Sequence, residues 1–552
     1  METLMCKRIL LLGLWLLCLA TPPAAAECDR SGLVAIADLR TGAVADGHRV
    51  STEGVVTGVF LGRERLGGFF LQAAGEPPAG LFVHAPDIDA GQVAPGRRMQ
   101  VDGRFTRFHG RPQVHRISAL RDCGVARTPE PVVLRLPDDA HRLPSLQDTR
   151  VRFEQVLTVT GNRELHRYGT LRLAAEGRLW HPGERPDGGR VAPSMRQILL
   201  DDGSYRVGPD PTPYLDPDGT RRAGDQVRNL TGILTRAFDA DRVHPTGPVE
   251  FIAANPRPSP PPPDTDRLRV AALNVENYFL TMGRRGARNS AELDRQRAKI
   301  AAVVQGLDAD VLSLSEIENR TEAVDDLVAQ LNRGLPPAKH YRAAPHPFPG
   351  DDAIRVALLY RPALLKLLDV AADRNAVHSR APQLGWFQPQ EGGPPLGVVS
   401  VHFKAKSGCP NSGDVDHGQG CWNRLRLEQA QRLFEWLASV RRGDTPVIIA
   451  GDINAYAVEE PAAWLRRMGK RDLGTPFVEP SARYTYVYQG QAGTLDYVLG
   501  PETLGPRVLD AGIWHVNADE PAFLGYAGSR PASGPWRASD HDPVWVDLNR
   551  TH

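Results

Sequence analysis

Twelve residues, NPRPSPPPPDTD from Asn255 to Asp266, set the strongest limit on how this chain folds. Proline fixes φ and removes a backbone donor, so the segment forms neither helix nor central strand. It reads as a stiff polyproline spacer. A chain of 552 residues is also too long for one ordinary domain. The spacer therefore divides separate folding regions, and the patterning differs on its two sides.

Before the spacer, short apolar stretches are punctuated by glycine: VSTEGVVTGVF (Val50–Phe60), GGFFLQ (Gly67–Gln72), GLFVHAP and RMQVDGRF. After Cys123 the theme recurs in TRVRFEQVLTVTG, RYGTLRLA, RQILLDDG and DQVRNLTGIL. This spacing predicts short strands in two small barrel-like units, over 27–125 and 126–254. Beyond the spacer, ELDRQRAKIAAVVQGL sets Ile300, Val303, Val304 and Leu307 at helical spacing. AVDDLVAQL and NRLRLEQAQRLFEWLASV predict two more helices. They alternate with apolar strands such as RLRVAALN, DADVLSLSEIE, LGVVSVHFKAK, PVIIAGDIN and HDPVWVDL. Strands interleaved with helices predict a layered α/β domain over 267–549.

At the N-terminus, Lys7 and Arg8 precede ILLLGLWLLCLA, and PPAAA follows, ending at Ala26. A charged region, an apolar run and a small-residue site read as an export signal over 1–26. The run is too short to span a bilayer, which takes about 20 residues. The expected mature protein is exported (secreted or periplasmic), soluble and monomeric, without a membrane anchor. Cys6 and Cys18 leave with the signal; Cys28, Cys123, Cys409 and Cys421 remain for an oxidising compartment. Of the three pairings open to four cysteines, Cys28–Cys123 with Cys409–Cys421 is expected, because each bond then stays within one domain. A formal net charge of +1 advertises no long-range basic field for nucleic acid.

Several strands after the spacer end in polar groups: Asn274 and Glu276, Glu316, His402 and Lys404, Asp452 and Asn454, and Asp496. The stretch ASDHDPVW puts Asp540 directly before His541. In a regular strand these two side chains would point to opposite faces. Both serve one site only if the backbone is still turning, and Pro543 places a strand start just after them. Glu316 and His402 interrupt apolar runs and are harder to explain as turns or caps. The inventory is acids, amides and histidines, with no serine or cysteine nucleophile. Hard oxygen ligands suit Mg²⁺ or Mn²⁺, and histidine near carboxylates suits proton transfer near neutral pH. Together they suggest metal-assisted attack of water on a phosphodiester.

LNVEN, LSEIEN, VHFK, GDIN, TLDYV and SDHDPV, in this order, resemble the motif set of the endonuclease/exonuclease/phosphatase superfamily. HFKAKSGCPNSGDVDHGQGCWNRLR is similar to the cysteine-bracketed segment of secreted bacterial endonucleases. The β-rich half resembles theirs too, through GGFFLQ, RYGTLRL, LLDDG and NPRP. The resemblance implies a four-layered, deoxyribonuclease I-like sandwich behind β units of the oligonucleotide/oligosaccharide-binding (OB) kind. It further implies Glu316 as principal metal ligand, assisted by Asn274 and Asp540, with Glu276 ligating through water. Asp452 would orient or deprotonate the attacking water, and Asn454 would hold a phosphate oxygen. His541 would bind the scissile phosphate, oriented by Asp496, and His402 would be a second acid–base histidine. Lys404 and Arg355 are candidate phosphate contacts, or else solvated strand ends.

Two loops carry open alternatives. Asp414, Asp416 and His417, between Cys409 and Cys421, offer ligands for Ca²⁺, although a plain solvated loop is preferred. GRFTRFHGRPQ (Gly103–Gln113) interleaves arginines with Phe105 and Phe108, which suits single-stranded nucleic acid. An edge hairpin that buries both rings is preferred. The functional expectation is an exported metal-dependent endonuclease acting on DNA, with RNA as a further substrate. Its alternatives are a secreted phosphodiesterase or phosphatase on phospholipid or small phosphorylated molecules, and an OB-type nucleic-acid-binding protein with weak catalysis.

Overall fold

The computed structural model describes residues 28, 30–73, 75, 77–185, 192–263 and 266–550. The expected export signal over 1–26 lies outside the described residues. The chain forms two compact units, one holding residues up to 62 with 67–130, the other 63–66 with 131 onward.

The first unit is a closed five-stranded barrel in the order Arg49–Phe60, Gly68–Gln72, Gly80–His84, Arg111–Val125, Arg97–Phe108. Closure leaves no unpaired edge. Val56, Phe69, Leu71, Val83, Val101 and Phe105 fill it. The Gly103–Gln113 hairpin turns tightly through His109 and Gly110, with φ of 49° and 81°. Phe105 is buried as expected, but Phe108 is 61% exposed at the tip, because the strand has already left the barrel there. Cys28 and Cys123 are disulfide-bonded.

The second unit joins two parts. Between Val132 and Ile252 lies a nine-stranded sheet, not a second closed barrel. Two of its pairings are parallel, Val132–Leu134 with Arg150–Phe153 and Gln197–Asp201 with Ala240–Pro245. After the spacer, two six-stranded sheets stack face to face. The order in one is Arg342–Ala343, Ile354–Tyr360, Val311–Glu318, Arg267–Tyr278, Val544–Asn549, Val508–Ile513. In the other it is Leu365–Ala372, Gln383–Pro389, Leu396–His402, Val447–Asp452, Asp496–Pro501, Lys470–Asp472.

Alternation along RLRVAALN explains the layering. Leu268, Val270 and Ala272 face the other sheet. Ala271 and Leu273 face outward, under the helices Ser290–Leu307 and Thr321–Arg333. The second sheet is covered likewise by Asn423–Ser439 and Glu460–Arg467. The result is helix, sheet, sheet, helix, the deoxyribonuclease I-like sandwich.

The spacer runs along this unit, tied to it by side chains. Asn255 Nδ2 donates to Asp519 Oδ2 at 2.7 Å, and Arg257 makes two bonds to Glu520 at 2.9 and 3.0 Å. Arginines of the nine-stranded part converge on the same two acids. Arg178 Nη1 is 2.9 Å from Asp519 Oδ1, and Arg222 Nη1 is 2.5 Å from Glu520 Oε1. A small sheet crosses the join: Leu179–Trp180 pairs in parallel with Gln491–Gly493, which pairs with Tyr486–Tyr488. Among the described residues, no helix is long and apolar enough to cross a membrane.

Candidate active site

Three strands of the second sheet end side by side in polar residues. His402 is in register with Asp452 across a parallel pair, and Asp452 with Asp496 across an antiparallel pair. Gly451 lets the strands approach: its φ is 138°, and a Cβ there would lie 2.2 Å from the Val401 carbonyl oxygen.

In the facing sheet, two neighbouring ladders slip at the same level. One is interrupted between Asn274 and Tyr278, the other between Leu314 and Ile317. Glu276, Asn277 and Glu316 take φ of 52°, 58° and 69° there, and Asn454 takes 48°. Bulges re-aim side chains, and non-glycine residues at positive φ are held only where surrounding contacts over-determine them. Asn274 supplies such contacts. Its Nδ2 donates to Glu316 Oε1 at 3.0 Å and to Asp452 Oδ2 at 3.3 Å, joining the two sheets. Glu316 Oε2 accepts from the Asn277 amide at 3.0 Å.

The turn before the last strand is fixed from below. Asp542 Oδ1 accepts from the amides of Asn517 (2.7 Å) and Ala518 (3.0 Å), and Oδ2 lies 2.8 Å from His515 Nδ1. Asn517 Nδ2 donates to the His541 carbonyl at 2.7 Å. Both Asp540 and His541 therefore leave a turn, not a strand, and Val544 begins the strand just after Pro543. His541 Nδ1 is 2.7 Å from Asp496 Oδ2, and the Tyr486 ring covers the imidazole at 4.7 Å.

Charge separates the two histidines. Burial disfavours the charged form of His541, but Asp496, then Asp540 and Asp452, outweigh it and hold the imidazole well above its ordinary pKa. Burial, then Arg380 and His541, hold His402 well below its own, so it is neutral. Arg380 Nη2 donates to the Phe403 carbonyl at 2.7 Å, and Nη1 lies 3.4 Å from His402 Nε2. His402 Nε2 is 3.5 Å from Asp452 Oδ2. Burial and the neighbouring Asp496 push the Asp452 carboxyl up.

Glu276 and Glu316 are pushed up by burial and then by Asp540. Glu276, Glu316 and Asp540 are each half-buried and bear on one another through charge, and a hard divalent cation would relieve that repulsion. Asp452, Asp496 and His541 also bring ligand atoms within 4.8 Å of one another. That trio suits a metal less well, because the His541 Nδ1 proton is already engaged by Asp496.

Asn274, Glu316, His402, Asp452, Asn454, Asp496, Asp540 and His541 thus converge. Lys404 is half-buried, its Nζ 5.1 Å over the Trp422 ring. Arg355 is buried rather than a solvated strand end; its Nε faces the Val356 carbonyl at 3.4 Å, and Asp325 is the acid acting on it. Two cations act on the cluster, Arg380 on His402 and Glu316 and Arg537 on Glu276, and the sequence reading missed both; the signal for Arg380 is an arginine in SRAPQLGWF, just ahead of an apolar strand. Tyr486 and Asn517 were missed as well, since only tertiary contacts connect them to His541.

Cys409 and Cys421 are disulfide-bonded. The acids of their loop have backbone duties. Asp414 accepts from the Arg424 and Leu425 amides, capping the Asn423–Ser439 helix, and Asp416 accepts from the amides of Gly418 and Gly420. They hold the loop's own fold.

Residues 271–541 match the Endonuclease/Exonuclease/phosphatase family model. Similar solved structures include an endonuclease/exonuclease/phosphatase from Bacteroides vulgatus, 16% identical over 51% of this chain and 99% of that one, with a TM-score of 0.37. The human Nocturnin catalytic domain with bound sulfate is 17% identical over 51% and 94%, with a TM-score of 0.35. A mannosyl-6-phosphatase from Bacteroides thetaiotaomicron is 17% identical over 51% and 99%, with a TM-score of 0.36. No curated protein sequence matches the chain. The C-terminal half of this chain is a domain of the endonuclease/exonuclease/phosphatase family, whose members are metal-dependent phosphoester hydrolases.

Proposed function

We propose that the protein is an exported, divalent-metal-dependent endonuclease that hydrolyses phosphodiester bonds of DNA, and of RNA, with low sequence specificity. We read its N-terminal barrel as OB-like and the mature protein as a monomer. Two disulfides accord with export into an oxidising compartment.

One observation carries the reading: an imidazole held charged by Asp496, that of His541, shares one site with Glu276, Glu316 and Asp540, whose charges act on it and on one another. The imidazolium attracts a phosphate oxygen, whereas the carboxylates repel it unless a cation intervenes. Glu316, Asp540 and Asn274 would hold Mg²⁺ or Mn²⁺, with Glu276 through water; when bound, such an ion polarises phosphoryl oxygens and acidifies water.

The chain's own groups do the rest. Asp452, its carboxyl raised by burial, orients a water and takes its proton as the oxygen attacks phosphorus. Asn454, its backbone amide bonded to Asp452 Oδ1 at 2.7 Å and its Nδ2 donating to the Phe403 carbonyl at 3.1 Å, would hold a phosphate oxygen with its second Nδ2 hydrogen. His541 donates from Nε2 to the phosphate and offsets the charge that develops there. Neutral His402 fixes the Asp452 carboxylate. The bond to the departing sugar oxygen breaks, that oxygen takes up a proton from solvent water, and Asp452 returns its proton to solvent.

The test incubates oxidised mature protein with covalently closed plasmid DNA in Mg²⁺, Mn²⁺ or EDTA, with Asp452→Asn as control. A closed circle has no ends, so metal-dependent nicking that is lost in the variant establishes an endonuclease. No cleavage by folded protein in either metal would turn the reading toward phospholipid and small phosphate substrates.

A further inference from the structure

The wall beside His541 is built by two parts of the chain. Tyr486, which covers the imidazole, belongs to a hairpin with Tyr488 two residues on, so both rings stand on one face. Their centroids are 6.5 Å apart and their planes 12° from parallel. That separation is close to twice the ~3.4 Å rise of stacked bases. Tyr488 is 47% exposed. The hairpin is clamped from below by the nine-stranded part. Leu179–Trp180 pairs with its second strand, and a Cβ on Gly161 would lie 3.4 Å from the Gly490 Cα. Two residues beyond Gly161, exposed Arg163 is close enough for its charge to act on the Tyr486 hydroxyl.

We propose that the Tyr486–Tyr488 hairpin and Arg163 form a platform for unpaired nucleotides, Tyr488 stacking on a base and Arg163 meeting the adjoining phosphate, so that the strand reaches His541 single-stranded. This inference rests on the nuclease reading and extends it to a substrate class. Base faces are hidden in a duplex and exposed in a single strand, and aromatic stacking accepts any base. A chain with a net charge of +1 gains little from phosphate contacts alone, which gives stacking more weight. The platform also gives the nine-stranded part a role at the site, since Arg163 comes from it.

The test compares steady-state cleavage of a short oligothymidylate and of an oligomer of equal length with one cleavable linkage flanked by abasic sugars. The wild-type protein should show a KM about tenfold lower for the base-bearing oligomer. Tyr488→Ala should collapse that ratio toward one. Tyr488→Phe, which keeps the ring, should preserve it. Arg163→Ala should raise both KM values about threefold and flatten their salt dependence. A wild-type ratio near one, or a ratio that survives in Tyr488→Ala, overturns the platform while leaving the nuclease intact. A wild-type protein that hydrolyses bis(p-nitrophenyl) phosphate but neither oligomer overturns the nuclease reading and the platform with it.

Discussion

Asp496 gives His541 both its orientation and its charge, through one 2.7 Å contact in a buried site. Asp496→Asn keeps the shape and removes the charge. Activity on plasmid should fall roughly 10³-fold, with the fold retained because the imidazole, unlike an arginine, can release its proton and leave no buried charge. A loss below about tenfold would show that the imidazole does not act as a cation. Glu184 makes a different point. It is buried against Thr494, accepting from its amide at 2.8 Å, and burial pushes its carboxyl up to about 7. An acid whose folded pKa exceeds its unfolded one stabilises fully below the unfolded value and loses that contribution as pH rises through the folded one. Glu184 should therefore weaken the fold progressively between about pH 4.5 and pH 7. Glu184→Gln, which can still bond Thr494, should gain melting temperature over wild type at about pH 8 and not at about pH 4. An unchanged difference at the two pH values would place no ionisation there. Glu316 and His402 were legible from the sequence because each interrupts an apolar run. Arg380 was not, because an arginine ahead of a strand looks like any solvated one until the fold buries it.

Strands and bulges, more than loops, aim the site. Gly451 shows how little slack exists: both its φ of 138° and the 2.2 Å approach of the Val401 carbonyl exclude a side chain. Gly451→Ala should destabilise the protein by about 1–3 kcal/mol or more, and should separate Asp452 from His402. Denaturant unfolding and plasmid cleavage would both register it; a variant normal in both would mean the strands can part freely. The helices and sandwich strands were readable from periodicity, since Ile300, Val303, Val304 and Leu307 all lie in one buried stripe. The region of the nine-stranded sheet was expected as a second small barrel-like unit. Several of its strands, such as Gln226–Arg228 and Glu250–Ile252, have three residues, and its parallel pairings join distant segments. Local alternation identifies strands but carries no information about such partners.

At the scale of the whole molecule, the nine-stranded part and the catalytic sandwich are one unit. Asp519 and Glu520 lie in the segment between Trp514 and Pro543 that shapes the His541 turn, and both are buried. Their cations, Arg178, Arg222 and Arg257, all precede the sandwich. Breaking one buried pair costs about 3–5 kcal/mol, because the remaining charge stays buried. A fragment beginning at Arg267 should therefore lack the native 514–543 segment and be inactive, even where its sheets form. Near-UV circular dichroism and plasmid cleavage on that fragment would check this; full activity would make the N-terminal parts dispensable.

The same acids bear on timing. Arg222 and Glu520 are 298 residues apart, and Arg178 and Asp519 are 341 apart. At about 5–20 residues per second, a ribosome makes the arginines roughly 15–70 s before their acids. During that interval the nine-stranded part is present with its cations uncompensated, and the cleft has no His541. Long-range closure of this kind is slow and comes late in folding. A nascent chain thus has no assembled active site while most of it already exists, and the hydrolase is complete only once synthesis has passed the 519–541 region.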